Sequence, residues 1–281
     1  MSATSKHFPP DSTEVHTISP SPNIGVRKRG LKPSILVLHY TGLPTIERSI
    51  EVLSDPRCEV SCHYVIDLDG HIIQMVAEAD RAWHAGLSSW QGETDINSKS
   101  IGIEIQNIGH RIGSPQFPPP FPDLQMRGLE RLARDIITRH NISATDVVAH
   151  SDIAPGRKID PGEKFDWRRL HRAGIGHWVK PEPIEDDDIS RKPNMATADV
   201  GNIEQGFAIG SAASQIAKTQ NMLRRYGYGI IKTAKYDDET KKVVTAFQRH
   251  FRPARIDGRI DRSTIKTLKR LLETSGILGP H

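Results

Sequence analysis

Cysteine is nearly missing from this chain. Its 281 residues include two, Cys58 and Cys62, with no Cys/His partner set around them for a structural metal site. A bridge between residues so close in sequence strains a strand backbone, so Cys62 reads as a small buried residue and no disulfide scaffold is implied. Long apolar runs are missing too, and no stretch approaches the ~20 residues of a membrane span. The N-terminal segment MSATSKHFPPDSTEVHTISPSPN has neither an apolar core segment nor a lipid-attachment cysteine, so as it stands it is not a secretion signal. A strong charge of one sign is also absent. The net charge is +4 and the pI near 9.0, which argues against nucleic acid as a partner and would suit an anionic polymer. The remaining composition is that of an ordinary globular chain, 36% hydrophobic and 26% charged, long enough for one large domain or two modest ones.

The stretch that organises the chain is 147–162, VVAHSDIAPGRKIDPG. Val147-Val148-Ala149 reads as a buried strand end with His150 at its tip. Ser151, Asp152, Pro155 and Gly156 then make a turn-rich loop that reaches Lys158 and Asp160 and closes at Pro161-Gly162. An imidazole and a carboxylate with an ammonium between them would suit half of a catalytic zinc site, which takes three protein ligands and keeps the fourth position for water. A second apolar run, Ile35-Leu36-Val37-Leu38, ends in His39. A third, SIGIEIQN at 100–107, places Ile101, Ile103 and Ile105 on one face and Gly102, Glu104 and Gln106 on the other. On pattern alone, Glu104 is either a carboxylate aimed at a site or a solvent-facing strand residue. Asp160 is likewise a ligand or a turn residue before Pro161, and Lys158 an active-site cation or a surface lysine.

Strands separated by helices imply an α/β fold, a mixed central β-sheet flanked by helices with ligands at strand ends and in the following loops. Residues 1–30, rich in Ser, Pro and Thr, read as an irregular N-terminal arm. Residues 44–53 read as a short helix starting near Thr45, and Asp69-Gly70 between two apolar runs signals a hairpin. The proline-rich 109–122 reads as a loop, after which Asp123 caps a helix with Leu129, Leu132, Ala133, Ile136 and Ile137 on its apolar face and Asn141 at its stop. Residues 181–211 read as a linker. Within 212–275, Asp237, Thr240, Val244 and Phe247 are echoed at the same spacing by Asp261, Thr264, Leu268 and Leu271. Each Asp is an N-cap and each apolar pair a buried face. With a preceding helix marked by Ile216, Leu223 and Tyr226 and ended by Gly227, this segment reads as a small all-α three-helix bundle.

The ordered blocks LHYT (38–41), VSCHYVIDLDGHIIQMV (60–76), AWHAG (82–86), NSKSIGIEIQN (97–107), HSDIAPGRKIDPG (150–162) and FDW (165–167) resemble the zinc-dependent N-acetylmuramoyl-L-alanine amidases. Within them the likeness is to the branch that trims bacterial peptidoglycan fragments and stem peptides. The blocks TQNMLRRYGY (219–228), DDETKKVVTAFQR (237–249) and DGRIDRSTIKTL (257–268) resemble the three-helix peptidoglycan-binding module attached to wall hydrolases. The resemblance implies a catalytic domain at 31–180, with Zn2+ held by His39, His150 and Asp160. It implies Glu104 as general base, Lys158 as the group that stabilises the oxyanion, and substrate contacts from His84, Trp83, Asn97 and Arg157. It also implies peptidoglycan or muropeptide fragments as substrate for a monomeric enzyme. The module favours the cell envelope (periplasm), whereas the N-terminus favours the cytoplasm.

Some relatives of the phage branch place a tyrosine just before the histidine of the second strand. Here that position is Cys62, which puts more weight on Glu104, and His63 reads as a packed histidine and not a ligand. Two other readings stand beside the amidase. A non-catalytic peptidoglycan recognition protein would be expected to lack a ligand or the base, yet all are present. A zinc D-alanyl-D-alanine-type peptidase needs a differently spaced His/Asp pair, for which there is no good candidate.

Overall fold

The computed structural model describes residues 7–28, 30–110, 118–184 and 214–276. The expected linker therefore lies, from residue 185 on, outside the described residues, as do 1–6 of the expected arm and 111–117 of the proline-rich loop. Two compact units are present. The first runs up to Ser88 and adds Glu93–His150 and Asp160–Gly176; the second comprises Ser89–Gly92, Ser151–Ile159 and the chain from His177.

In the first unit the strands are β1 (Thr17–Ile18), β2 (Ile24–Val26), β3 (Ile35–Tyr40), β4 (Tyr64–Ile66), β5 (Ile72–Gln74), β6 (Asp80–Ala82), β7 (Ser100–Ile105) and β8 (Val147–Ala149). The main sheet has the order β1-β5-β4-β7-β3-β8, and β2 pairs with β6 in a small antiparallel ribbon. β4, β7, β3 and β8 run parallel, while β5 returns antiparallel to β4. The parallel strands are buried on both faces, which is why 35–38 and 147–149 are unbroken apolar runs. The β4–β5 turn closes with the Gly70 amide donating to the Asp67 carbonyl. Gly70 has φ +87, and a Cβ there would stand 2.5 Å from the Leu124 carbonyl oxygen, so both conformation and space require glycine.

Helix α1 (Ile46–Ser54) is capped by Thr45, whose side chain accepts from the Arg48 amide. The short α2 (Ile96–Lys99) is capped in the same way by Asp95. Helix α3 (Asp123–His140) buries Met126, Leu129, Leu132, Ala133 and Ile136, and Asn141 ends it with φ 52. Asp123 is not the cap, contrary to expectation. Pro122 occupies that position without a side-chain bond, and the Asp123 carboxylate pairs with Arg127 and Arg169. The N-terminal segment also differs from an irregular arm. It supplies β1 and β2, and Arg27 is buried with its guanidinium donating to the carbonyls of Glu78, Asn97, Ser98 and Ser100. Two strands this short carry almost no periodicity, so only their long-range pairing identifies them.

Two further helices follow, α4 (His150–Ile153) and α5 (Trp167–Arg172). The second unit contains α6 (Ser214–Tyr226), α7 (Asp238–Phe251) and α8 (Arg262–Thr274). Asp237 and Asp261 cap α7 and α8 by accepting from the amides of Thr240 and Thr264. The internal echo extends to two buried glutamines. Gln220 donates to Thr240 Oγ1 and Gln248 to Thr264 Oγ1, and each accepts two backbone amides of the loop that follows its helix. Ile216, Leu223, Val244, Phe247, Leu268 and Leu271 fill the core between the helices. Among the described residues, no helix is long and apolar enough to cross a membrane.

Candidate metal centre

Strand register assembles the site. His39 of β3 is the direct partner of Glu104 on β7, and Leu38 is the partner of Ala149 on β8. His39, Glu104 and the His150 that follows β8 thus reach the carboxyl-terminal ends of three adjacent parallel strands. Direct partners project from the same sheet face, so His39 and Glu104 share one. His39 Nδ1 lies 2.9 Å from His150 Nδ1 and 3.1 Å from Asp160 Oδ2, and His150 Nδ1 lies 3.0 Å from the same oxygen. All three residues are buried. Ligand atoms of a tetrahedral site with bonds of ~2.0–2.1 Å stand roughly 3.3 Å apart, so these atoms already have about that spacing.

The surrounding hydrogen bonds assign the protons. Ser100 Oγ donates to the Ile96 carbonyl at 2.7 Å, so at 3.0 Å it accepts from His84 Nε2–H. His84 Nδ1 is then an acceptor, and His39 Nε2–H donates to it at 3.0 Å. The proton of His39 is therefore on Nε2, and its Nδ1 presents a lone pair to the centre. His150 Nε2–H donates to the Ala85 carbonyl at 3.1 Å, which leaves a lone pair on its Nδ1 too. Two imidazole lone pairs and a carboxylate oxygen cannot hydrogen-bond to one another. Together they are the donor set of a cation, with the outer bonds that orient metal-ligating histidines already made. Burial, and then His39 and its neighbours, hold His84 well below the usual imidazole range, in keeping with a neutral relay.

His84 lies beneath His39, with both ring nitrogens engaged; the resemblance had implied a substrate contact. Gly102 makes room for it, since a Cβ there would stand 2.6 Å from the His84 ring. A glycine inside a strand signals such a close approach, a clue present in the sequence; nothing there marked Ser100. Asn97 is buried, and its Oδ1 accepts the amides of His84 at 3.1 Å and Ala85 at 2.8 Å, bracing the two residues that hydrogen-bond to His39 and His150. Trp83 is half-buried, its indole Nε1 over the bare backbone of Gly25 on β2. His63 stands outside the cluster, accepting the Gly102 amide at 3.0 Å, and is held down to about 3 by burial and then by Arg27. Burial, and then Glu104, push the Cys62 thiol well above its usual range, so it stays protonated. Lys158 is half-buried and Arg157 exposed. Both belong to the Ser151–Ile159 segment of the second unit, where their amides donate to the Ala154 carbonyl.

Residues 29–163 match the family model described as N-acetylmuramoyl-L-alanine amidase, and 213–268 match a putative peptidoglycan binding domain. N-acetylmuramoyl-L-alanine amidase AmiD of Escherichia coli (strain K12) is 36% identical over 250 residues, covering 86% of this chain and 83% of that relative. The chain belongs to the N-acetylmuramoyl-L-alanine amidases. Among other members, the 1,6-anhydro-N-acetylmuramyl-L-alanine amidase AmpD of Enterobacter cloacae is 34% identical over 169 residues, covering 54% of this chain and 86% of its own length. The solved structure of Escherichia coli AmiD with the substrate anhydro-N-acetylmuramic acid-L-Ala-D-gamma-Glu-L-Lys matches with a TM-score of 0.68 at 35% identity, over 88% of this chain and 92% of that one. AMPDH3 of Pseudomonas aeruginosa in complex with anhydromuramic pentapeptide matches with a TM-score of 0.68 at 32% identity, over 89% and 94%. The expected α/β fold is thus that of the amidases, and the chain also carries a helical module.

Proposed function

We propose that this amidase hydrolyses the amide bond between N-acetylmuramic acid and L-alanine of the stem peptide, in peptidoglycan or in muropeptides, with zinc held by His39, His150 and Asp160. The observation that carries the reading is the pair of Nδ1 lone pairs forced by the outer hydrogen bonds to converge with Asp160 Oδ2. An N, N, O set suits Zn2+. When bound, the ion supplies Lewis acidity and lowers the pKa of a coordinated water from 15.7 to about 7. Glu104, across the strand pair from His39, takes the proton from the attacking water and returns it to the leaving amine of L-alanine. Lys158 stabilises the negative charge that develops on the carbonyl oxygen. Trp83 and Arg157 are the remaining candidates for substrate contact. The helical module tethers the enzyme to the wall, which raises local substrate concentration and favours the cell envelope as its place of work.

Mass spectrometry of a purified muropeptide incubated with the protein tests this reading, beside a chelator-treated sample restored with zinc. Free stem peptide beginning at L-alanine, lost on chelation and regained with zinc, is the expected result. Release of a terminal D-alanine, or an intact substrate in every tube, overturns it.

A further inference from the structure

The segment that joins two of the ligands is gripped by the C-terminal helices. Ser151–Ile159 runs from His150 to Asp160 and carries Lys158, yet it packs as part of the helical unit. Asp152 is buried there, and both of its carboxylate oxygens are engaged. Oδ1 accepts the Tyr228 hydroxyl at 2.7 Å and Oδ2 meets His250 Nδ1 at 2.6 Å. Tyr228 is buried between Trp90 and Phe247, with ring centroids 5.2 and 6.3 Å away. His250, on α7, stacks on Phe251 at 3.8 Å with the rings 6° from parallel. Burial, and then the Asp152 charge, push the Tyr228 phenol well above its usual range, so it remains a donor. The grip continues along the segment. Gly156 has φ +76, and a Cβ on it would stand 2.5 Å from the Lys242 side chain of α7. A carboxylate is kept in a buried site only where donors replace its water, and here Tyr228 and His250 both belong to the C-terminal segment, outside the 29–163 amidase match.

We propose that Tyr228 and His250 are positioning residues for the amidase reaction, acting through Asp152 to set the segment that carries Lys158. The C-terminal helices then contribute to turnover as well as to wall binding. This rests on the role given above to Lys158. A tether alone is dispensable on a small soluble substrate, whereas a grip on the catalytic segment is not.

The test compares the zinc-loaded full chain with its Tyr228→Phe and Tyr226→Phe variants on a soluble N-acetylmuramoyl-L-alanine peptide. Tyr226 serves as the control because its hydroxyl meets His177 Nδ1, at 2.8 Å in the same unit. Tyr228→Phe is expected to lower kcat about 10- to 100-fold, as small misplacements of catalytic groups do, with zinc content and KM retained. It is also expected to speed amide hydrogen exchange across 151–159. Tyr226→Phe is expected to keep wild-type kcat and exchange there. Equal kcat in wild type and Tyr228→Phe overturns the proposal, as does an equal loss in both variants that follows a lowered melting temperature. If the wild type leaves the peptide intact, it is the amidase reading that fails, and exchange across 151–159 alone then decides the grip.

Discussion

Replacing His84 with alanine should weaken zinc binding while leaving all three ligands in place. The wild-type relay runs from His39 Nε2–H to His84 Nδ1 and on through Ser100 Oγ to the Ile96 carbonyl. Without His84, the His39 Nε2–H is left in a buried site without its acceptor, at a cost of ~1–3 kcal/mol. The metal-free protein can escape by moving the proton to Nδ1, where it donates to Asp160 at 3.1 Å. The metal-bound protein cannot, because Nδ1 is then a ligand. The penalty therefore falls on the bound state, and a loss of about 10- to 100-fold in affinity follows, equal to ~1.4–2.7 kcal/mol. Titration of the chelator-stripped full chain with zinc, in competition with a chromophoric chelator, reads this directly. Ser100→Ala should show a smaller loss in the same direction, because His84 survives but loses the bond that sets its tautomer. Wild-type zinc affinity in a folded His84→Ala protein would refute the relay.

Gly102→Ala should also lower zinc affinity, since its Cβ would stand 2.6 Å from the His84 ring and must displace it; an unchanged competition titration would show that the ring has room to yield. Glu104→Gln should keep wild-type zinc affinity and lose about 10²- to 10⁴-fold in kcat, and a fall in both together in steady-state assays would make Glu104 a support for the metal and not the base. Stability should fall with acid through His63, which is held down to about 3 by burial and then Arg27. The unfolded chain, with His near 6.5, binds more protons between these values, so unfolding free energy drops with pH across that window by up to ~1.4 kcal/mol per unit from this side chain. Urea denaturation of His63→Asn should accordingly show a shallower acid slope than wild type, and identical slopes would contradict the burial of His63.

Much of the local architecture was legible because its signals are local. The runs ending in His39 and His150 read as strands because parallel strands are apolar throughout, and Asp69-Gly70 read as a turn because glycine alone fits there. Asp237 and Asp261 read as caps because each oxygen meets an amide three residues on. Asp123 misled, since an acidic first turn and an N-cap look alike until the Asp123 carboxylate is seen paired with Arg127 and Arg169. The ligand trio entered by resemblance in ordered blocks; composition and spacing left Asp160 and Glu104 undecided. The N-terminal strands were missed because a two-residue strand has no pattern apart from its partner.

Taken by itself, then, the sequence determined the kinds of elements, their caps and turns, and the family to which their order belongs. These depend on neighbours a few residues apart along the chain. Which atom of each histidine faces the centre was decided only in three dimensions. That choice depends on Ser100, Ala85 and the bare backbone of Gly102, brought to His39 and His150 from distant strands and loops. The same holds for Asp152, a turn residue on the page of sequence. Its partners Tyr228 and His250 follow it by most of a domain, and folding buries all three side chains around two hydrogen bonds.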